Sequence, residues 1–287
     1  MSRRHILGLS LGGFHRVSYT DWGDRHSRHA VVCVHGLTRN CRDFDVLAQA
    51  LEGRCRVICP DIVGRGQSDW LQRKEDYVYP QYLADMTALI ARVTAETGPE
   101  ATIDWVGTSM GGVMGMLLAA QAQSPIRRLV VNDVGPFIPR VALERIASYV
   151  GKAPVFASIG DAERYVRQVS APFGPLTDEQ WRHLTQHNAR QQGDGRWSMI
   201  YDPGIATPFT CNPLKDVHLW DTWDRIACPT LVLRGRESDL LQTDTVEEMK
   251  RRGPKAKVVE FAGVGHAPTI MSDEQIGPVL DFLLAPV

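Results

Sequence analysis

The sequence predicts an α/β fold: a mostly parallel sheet with helices on both faces, interrupted by a helical insertion. Three observations carry this. Short apolar runs are continuous rather than alternating: "VVCVHG" (31–36), "RVICPD" (56–61), "IDWVGTS" (103–109), "RRLVVND" (127–133), "TLVLRG" (230–235) and "KVVEFAG" (257–263). Strands buried on both faces read this way. Longer helix-like segments separate them, the alternation expected of layered α/β folds. That alternation stops after Pro136 and resumes at Pro229.

The elements follow in order. "MSRRHILGLSLGGF" sets two arginines before a short apolar run, but it holds three glycines and leads to no small-residue cleavage site. It reads as a first strand or hairpin rather than a signal peptide. Residues 80–97 form an amphipathic helix. Pro80 suits a first helical position, and Tyr82, Leu83, Met86, Leu89, Ile90 and Val93 recur at spacings of three and four. From Phe137 to about Trp220 the pattern is helical, with no convincing buried strand. Four of the seven tryptophans fall between 181 and 223, so this stretch can build a small core of its own. The economical reading is a core of residues 1–136 and 221–287, with 137–220 as a helical cap over the strand ends. Near the C-terminus, Ser272 and Gln275 resemble a capping box. Ile276, Val279, Leu280, Leu283 and Leu284 then form an apolar stripe.

Composition narrows the function. The 287 residues are 44% hydrophobic and 23% charged, with a formal net charge of -1. Such a chain buries a sizeable core and offers no basic footprint for nucleic acid. No apolar run approaches the roughly 20 residues of a membrane helix. The six cysteines are scattered, with Cys33, Cys55, Cys59 and Cys228 in or beside apolar stretches. They read as reduced core thiols, consistent with a cytoplasmic location.

The candidate chemistry starts at "VGTSMGG" (106–112). A serine hydroxyl becomes a nucleophile when a base takes its proton. A strand–turn–helix corner projects Ser109 from the sheet, and Gly107 and Gly111 let the turn close. "GTSMG" matches G-x-S-x-G in that context. Of nine histidines, His5, His15, His26 and His29 border the first strands and read as surface residues. His183 and His187 lie four apart on a helix but lack a nearby third ligand, so no metal is expected. His266, in a glycine-bearing loop between the last strand and last helix, is the expected base. Asp239, after residues 230–235, is the preferred orienting acid; Asp133 and Glu237 are the alternatives. The oxyanion donors expected are the N–H groups of Met110 and Leu37, with Thr38 the alternative to Leu37. His35 is expected to shape its loop. Phe137, Trp181, Trp197, Tyr201 and Phe209 are pocket candidates, each able to pack the insertion's own core instead.

With these residues placed, the chain resembles the α/β-hydrolase superfamily, in particular its small capped esterases, enol-lactonases and C–C hydrolases. The resemblance rests on "HGLT" (35–38), "PDIVGRGQSDW" (60–70), "GTSMGG" (107–112), "GRESD" (235–239) and "GVGHAP" (263–268). "GRGQSD" lacks the lysine of a phosphate loop and is, in that family, a structural loop. The resemblance implies an eight-stranded, mostly parallel sheet, a helical cap, and a cofactor-free serine carboxylesterase acting on small-to-medium acyl esters. A serine nucleophile sets the chain apart from dehalogenases and epoxide hydrolases, which use aspartate. Ala267 and Pro268 after His266 fit esterases and enol-lactonases better than C–C hydrolases. Hydrolysis of lactones, of oligoesters or polyesters, or of C–C bonds is the alternative within enzymes, and a small-molecule receptor is the alternative of another class. Monomer and homodimer are both compatible.

Overall fold

The computed structural model describes residues 1–98, 100–211 and 213–286. Strands β1 (Ser2–Ser10), β2 (Gly13–Trp22), β3 (His29–Val34), β4 (Arg56–Pro60), β5 (Thr102–Thr108) and β6 (Ile126–Asn132) come first. Five short strands follow: β7 (Phe137–Ile138), β8 (Val155–Phe156), β9 (Ala189–Gln191), β10 (Trp197–Met199) and β11 (Val217–His218). Then come β12 (Thr230–Gly235) and β13 (Lys257–Phe261). The main sheet has eight strands in the order β1-β2-β4-β3-β5-β6-β12-β13. Only β2 runs against the others, antiparallel to both β1 and β4; the remaining pairings are parallel.

Helices α1 (Asp45–Leu51), α2 (Tyr79–Thr97) and α3 (Met110–Ala119) precede the insertion. Within it lie α4 (Arg140–Ala147), α5 (Ile159–Val169), α6 (Asp178–Asn188) and α7 (Thr207–Thr210). The chain closes with α8 (Trp220–Asp224), α9 (Thr243–Met249) and α10 (Asp273–Leu284). The central strands serve two cores at once. On β3, Ala30, Val32 and Val34 face a core with Met86, Leu89 and Val93 of α2 and Met114 of α3. Val31 and Cys33 face a second core with Leu47 and Leu51 of α1 and Val279 and Leu283 of α10. Covering on both faces explains the unbroken apolar runs. Each fully buried Val or Leu is worth about 1.5–3 kcal/mol of transfer free energy.

The insertion departs from the expected all-helical form. β8, β10 and β9 make a three-stranded antiparallel sheet, and β7 pairs with β11. These strands are two or three residues long and mostly part-exposed, so they leave no buried run in the sequence. Pairing of β7 with β11 brings entry and exit together, and Leu219 N–H donates to Pro136 O at 2.6 Å. The insertion is also tied to the body. Gly66 N–H donates to Ile200 O at 3.0 Å, and Asp202 N–H to Gly64 O at 2.8 Å. The buried Asp202 carboxylate accepts from Tyr77 Oη at 2.6 Å and from Lys74 Nζ.

Two local expectations need correction. Ser272 caps α10 without a side-chain bond: Gln275 N–H donates to Ser272 O at 3.0 Å, and Gln275 Oε1 accepts from Ile270 N–H at 2.7 Å rather than from the cap residue. A complete capping box forms instead at α6, between Thr177 and Gln180. His15 is buried rather than at the surface, with Nε2 3.0 Å from both oxygens of Asp85 on α2. Cys33, Cys41, Cys55 and Cys59 are buried, and all six cysteines are unpaired.

Candidate active site

Ser109 sits between β5 and α3 at φ 52°, ψ −114°. An L-residue held there stores on the order of 1–3 kcal/mol of strain. At the two flanking glycines the chain leaves no room for a side chain. A Cβ on Gly107 would stand 2.2 Å from Gly111 O, and one on Gly111 would stand 2.1 Å from Val34 O. Glycine therefore provides close approach of β5, α3 and the end of β3. Ser109 N–H donates to Asn132 O at 2.9 Å, which stitches the corner to the end of β6.

His266, in the loop between β13 and α10, completes the arrangement. Ser109 Oγ lies 2.9 Å from His266 Nε2. His266 Nδ1 lies 2.8 Å from Asp133 Oδ2. That order of contacts gives the Nδ1–H tautomer, with Nε2 as the acceptor facing the hydroxyl. The ring is 12% exposed and the Asp133 side chain is fully buried. This chain can pass a proton from Oγ to Nε2 while a carboxylate faces the imidazolium so formed.

The carboxylate at His266 is Asp133, not Asp239. Asp133 follows β6 at φ 55° and is clasped by the end of β12. Oδ1 accepts from Gly235 N–H at 2.8 Å, and Oδ2 accepts from Ser238 Oγ at 2.6 Å as well as from the imidazole. Ser238 Oγ in turn accepts from Leu241 N–H at 3.0 Å, which fixes Ser238 inward and turns its neighbour outward. Asp239 is 44% exposed and forms an ion pair with Arg145. Glu237 accepts from Gly263 N–H at 3.1 Å, away from the imidazole.

Leu37 and Met110 both border the space beside Ser109. Neither N–H donates to another group among the described residues. Met110 opens α3, whose positive dipole end faces this space. Leu37 is gripped from both sides. His35 Nδ1–H donates to Gly36 O at 2.7 Å, and Arg65 Nε donates to Leu37 O at 2.8 Å. His35 Nε2 accepts from Ile62 N–H at 2.9 Å, so the ring stays neutral; burial pushes its pKa down to about 4. His35 shapes its loop, as expected. Arg65 was hidden inside "GRGQSD". It is fully buried, reaches Val63 O and Tyr82 Oη, and approaches Met110 Sδ at 3.6 Å. One guanidinium thus braces both segments that carry the free N–H groups. A long charged side chain amid glycines gives no sequence signal for such a role.

Two branches open from Ser109. One is apolar, with Val113, Val134, Ile138 and Phe209 among its lining residues. The other is bordered by His266, Arg39, Arg145, Tyr149, Tyr165 and Tyr201. Tyr201 and Phe209 therefore face the site, and three other aromatics do not. Trp181 packs with Val166, Leu184 and Met271. Trp197 pairs with Phe156 across the small sheet. Phe137 packs on His218, with ring centroids 5.1 Å apart. A small insertion uses its large aromatics to build its own contacts.

His183 and His187 do have a third potential ligand nearby, Asp45, with the donor atoms within 4.8 Å of one another. Arg42 already occupies that carboxylate, its Nε at 2.7 and 2.8 Å from the two oxygens. Its Nη1 also lies 3.5 Å from His187 Nδ1. Burial, then the Arg42 charge and His183, push the His187 pKa down to about 4. The guanidinium stands where a metal cation would compete.

Fold and site define an α/β scaffold carrying serine, histidine and aspartate in hydrogen-bonded order at the ends of its parallel strands. The chain belongs to the alpha/beta hydrolase family, whose model matches residues 31–276. Over 276 residues it is 45% identical to a 3-hydroxybutyrate-oligomer hydrolase of Cupriavidus necator, covering 93% of this chain and 92% of that protein. A solved alpha/beta hydrolase of Novosphingobium aromaticivorans matches with a TM-score of 0.86 and 37% identity, over 99% of this chain and 98% of that one. A solved Rickettsia typhi protein matches with a TM-score of 0.92 and 30% identity over the whole of both chains. No helix is long and apolar enough to cross a membrane among the described residues.

Proposed function

We propose that this protein is a serine carboxylic-ester hydrolase acting on short oligoesters of hydroxy acids. The observation that carries the reading is His266 bridging Ser109 and Asp133 at 2.9 and 2.8 Å. The similarity to the oligomer hydrolase supports the substrate class. Ser109 Oγ attacks the ester carbonyl as His266 Nε2 takes its proton. Asp133 holds the tautomer and stabilises the imidazolium without taking the proton. The Leu37 and Met110 N–H groups receive the oxyanion, each worth about 10²–10³ in rate. His266 protonates the leaving alcohol, and water then cleaves the acyl-enzyme by the same relay. No step calls for a cofactor. The insertion, residues 137–220, acts as a cap that brings Arg145, Tyr149, Tyr165 and Tyr201 over the site. Six unpaired cysteines support action in a reducing compartment, the cytoplasm.

The test is a panel of p-nitrophenyl esters, lactones and 3-hydroxybutyrate oligomers. The wild-type chain is expected to turn over esters and oligomers, and the Ser109→Ala protein is expected to turn over none. Turnover by the Ser109→Ala protein would remove Ser109 as nucleophile.

A further inference from the structure

Ser109 stands where two unlike branches meet. The apolar branch carries no charged side chain and has a cavity of about 190 Å³. The branch on the His266 side, about 90 Å³, is lined by two arginines, Arg39 and Arg145, and by no carboxylate. Asp43 and Asp239 do pair with these arginines, but each binds the Nε–Nη2 edge. The Nη1 end lies outside each ion pair. Tyr149 and Tyr165 line the same branch.

Reaction chemistry decides which half of an ester each branch takes. The departing oxygen must accept the proton on His266 Nε2, so the alcohol lies on the His266 side. The acyl substituent is left with the apolar branch, beside Met110. We propose that Arg39 and Arg145 form a carboxylate subsite for the leaving alcohol, so that the protein prefers oligoesters with a free carboxyl end and releases their terminal hydroxy acid. This rests on the serine-esterase reading above.

The bonds balance without a further reactant. Ser109 Oγ bonds to the acyl carbon of the last ester linkage, and its proton goes to His266 Nε2. The carbon–oxygen bond to the terminal unit breaks, and that oxygen takes the proton from Nε2. The terminal hydroxy acid departs with its carboxylate between the arginines. Water then adds to the acyl carbon, its proton passes through His266 to Ser109 Oγ, and the shortened oligomer leaves. Arg145 is 34% exposed, and partial solvent screening limits the gain from its charge. A preference of about tenfold is expected.

The experiment compares kcat/KM for the 3-hydroxybutyrate dimer as free acid and as its methyl ester. The wild-type protein is expected to favour the free acid about tenfold. The ratio should fall to about one in Arg39→Gln/Arg145→Gln. It should rise in Asp239→Asn, which frees Arg145 from its ion pair. A wild-type ratio near one, or an unchanged ratio in the double variant, overturns the subsite while leaving the esterase reading intact. Failure to cleave either dimer or p-nitrophenyl butyrate overturns both. Calorimetry reads the subsite without turnover. The Ser109→Ala protein should bind 3-hydroxybutyrate and lose it when Arg145→Gln is added; equal binding by the two proteins overturns the subsite.

Discussion

Ser109 holds a backbone conformation that suits glycine and makes no side-chain bond as the cap of α3. Removing its hydroxyl therefore costs no capping energy, whereas removing its Cβ releases strain. Ser109→Gly is expected to be more stable than Ser109→Ala, the reverse of the usual order of these residues. The difference should be on the order of 1 kcal/mol, or about 2–4 °C in Tm. A higher Tm for the alanine protein would show that the corner is unstrained. The acid is decided at the same scale. Asp133→Asn leaves an amide at His266 Nδ1, which disturbs the tautomer, and kcat should drop by up to about 10⁴. Asp239→Asn should keep turnover, since it loses only a surface ion pair. An inactive Asp239→Asn beside an active Asp133→Asn would reverse the assignment. Asp133 and Asp239 follow adjacent strands, β6 and β12, so both reach the neighbourhood of the imidazole. Position in the chain cannot separate them; the inward turn of Ser238 does.

Helix α6 carries a complete capping box and α10 does not. Thr177→Ala should therefore cost about 1 kcal/mol, while Ser272→Ala should be nearly neutral. Urea denaturation of the two variants checks this, and an equal loss in both would remove the distinction. The same pair shows what was legible at this scale. "TDEQ" and "SDEQ" carry the same residue types at the same spacing, and the partner that each glutamine side chain finds separates them. Gln275 is claimed by Ile270 N–H, whereas Gln180 accepts from the N–H of its own cap residue. The long apolar strands and α2 could be read because burial on two faces, or on one stripe, imposes a pattern on many residues. β7 to β11 could not, because backbone pairing over two or three part-exposed residues imposes none. Ser109 and His266 stood out because a tight corner and a glycine-bearing loop leave local marks. Arg65 and Ser238 act through neighbours distant in sequence and leave none.

Across the whole molecule, stability at low pH depends on where buried charges and neutral rings sit. Glu96 ends α2 and accepts from Arg4 of β1 and Arg56 of β4, at 2.7 to 3.0 Å. Burial favours its protonated form, but the bonds to Arg4 and Arg56 outweigh burial and lower its pKa from 4.5 to about 2. Its contribution is thus present above pH 4.5 and is lost as pH falls toward 2. His35 is buried and neutral, with its pKa lowered from 6.5 to about 4; its contribution is present above pH 6.5 and fades toward pH 4. His15 runs the other way. Burial opposes its charge, yet the Asp85 carboxylate raises its pKa above 6.5. Its contribution is complete below pH 6.5 and is lost as pH rises through the raised value. Urea midpoints should therefore fall in two stages on acidification, first between pH 6.5 and 4 and then between 4.5 and 2. Glu96→Gln should be less stable than wild type at neutral pH and show a shallower second stage. Its first stage should be unchanged, because the rings with pKa lowered to about 4, His35 and His187, make no hydrogen bond to Glu96, whose partners are arginines. An equally steep second stage in Glu96→Gln would mean that other carboxylates drive acid unfolding. The lower end of the first stage also bears on the site. In the folded protein His35 stays neutral until pH approaches 4; protonated below that, it cannot accept from Ile62 N–H, and the loop that carries Leu37 loses one anchor.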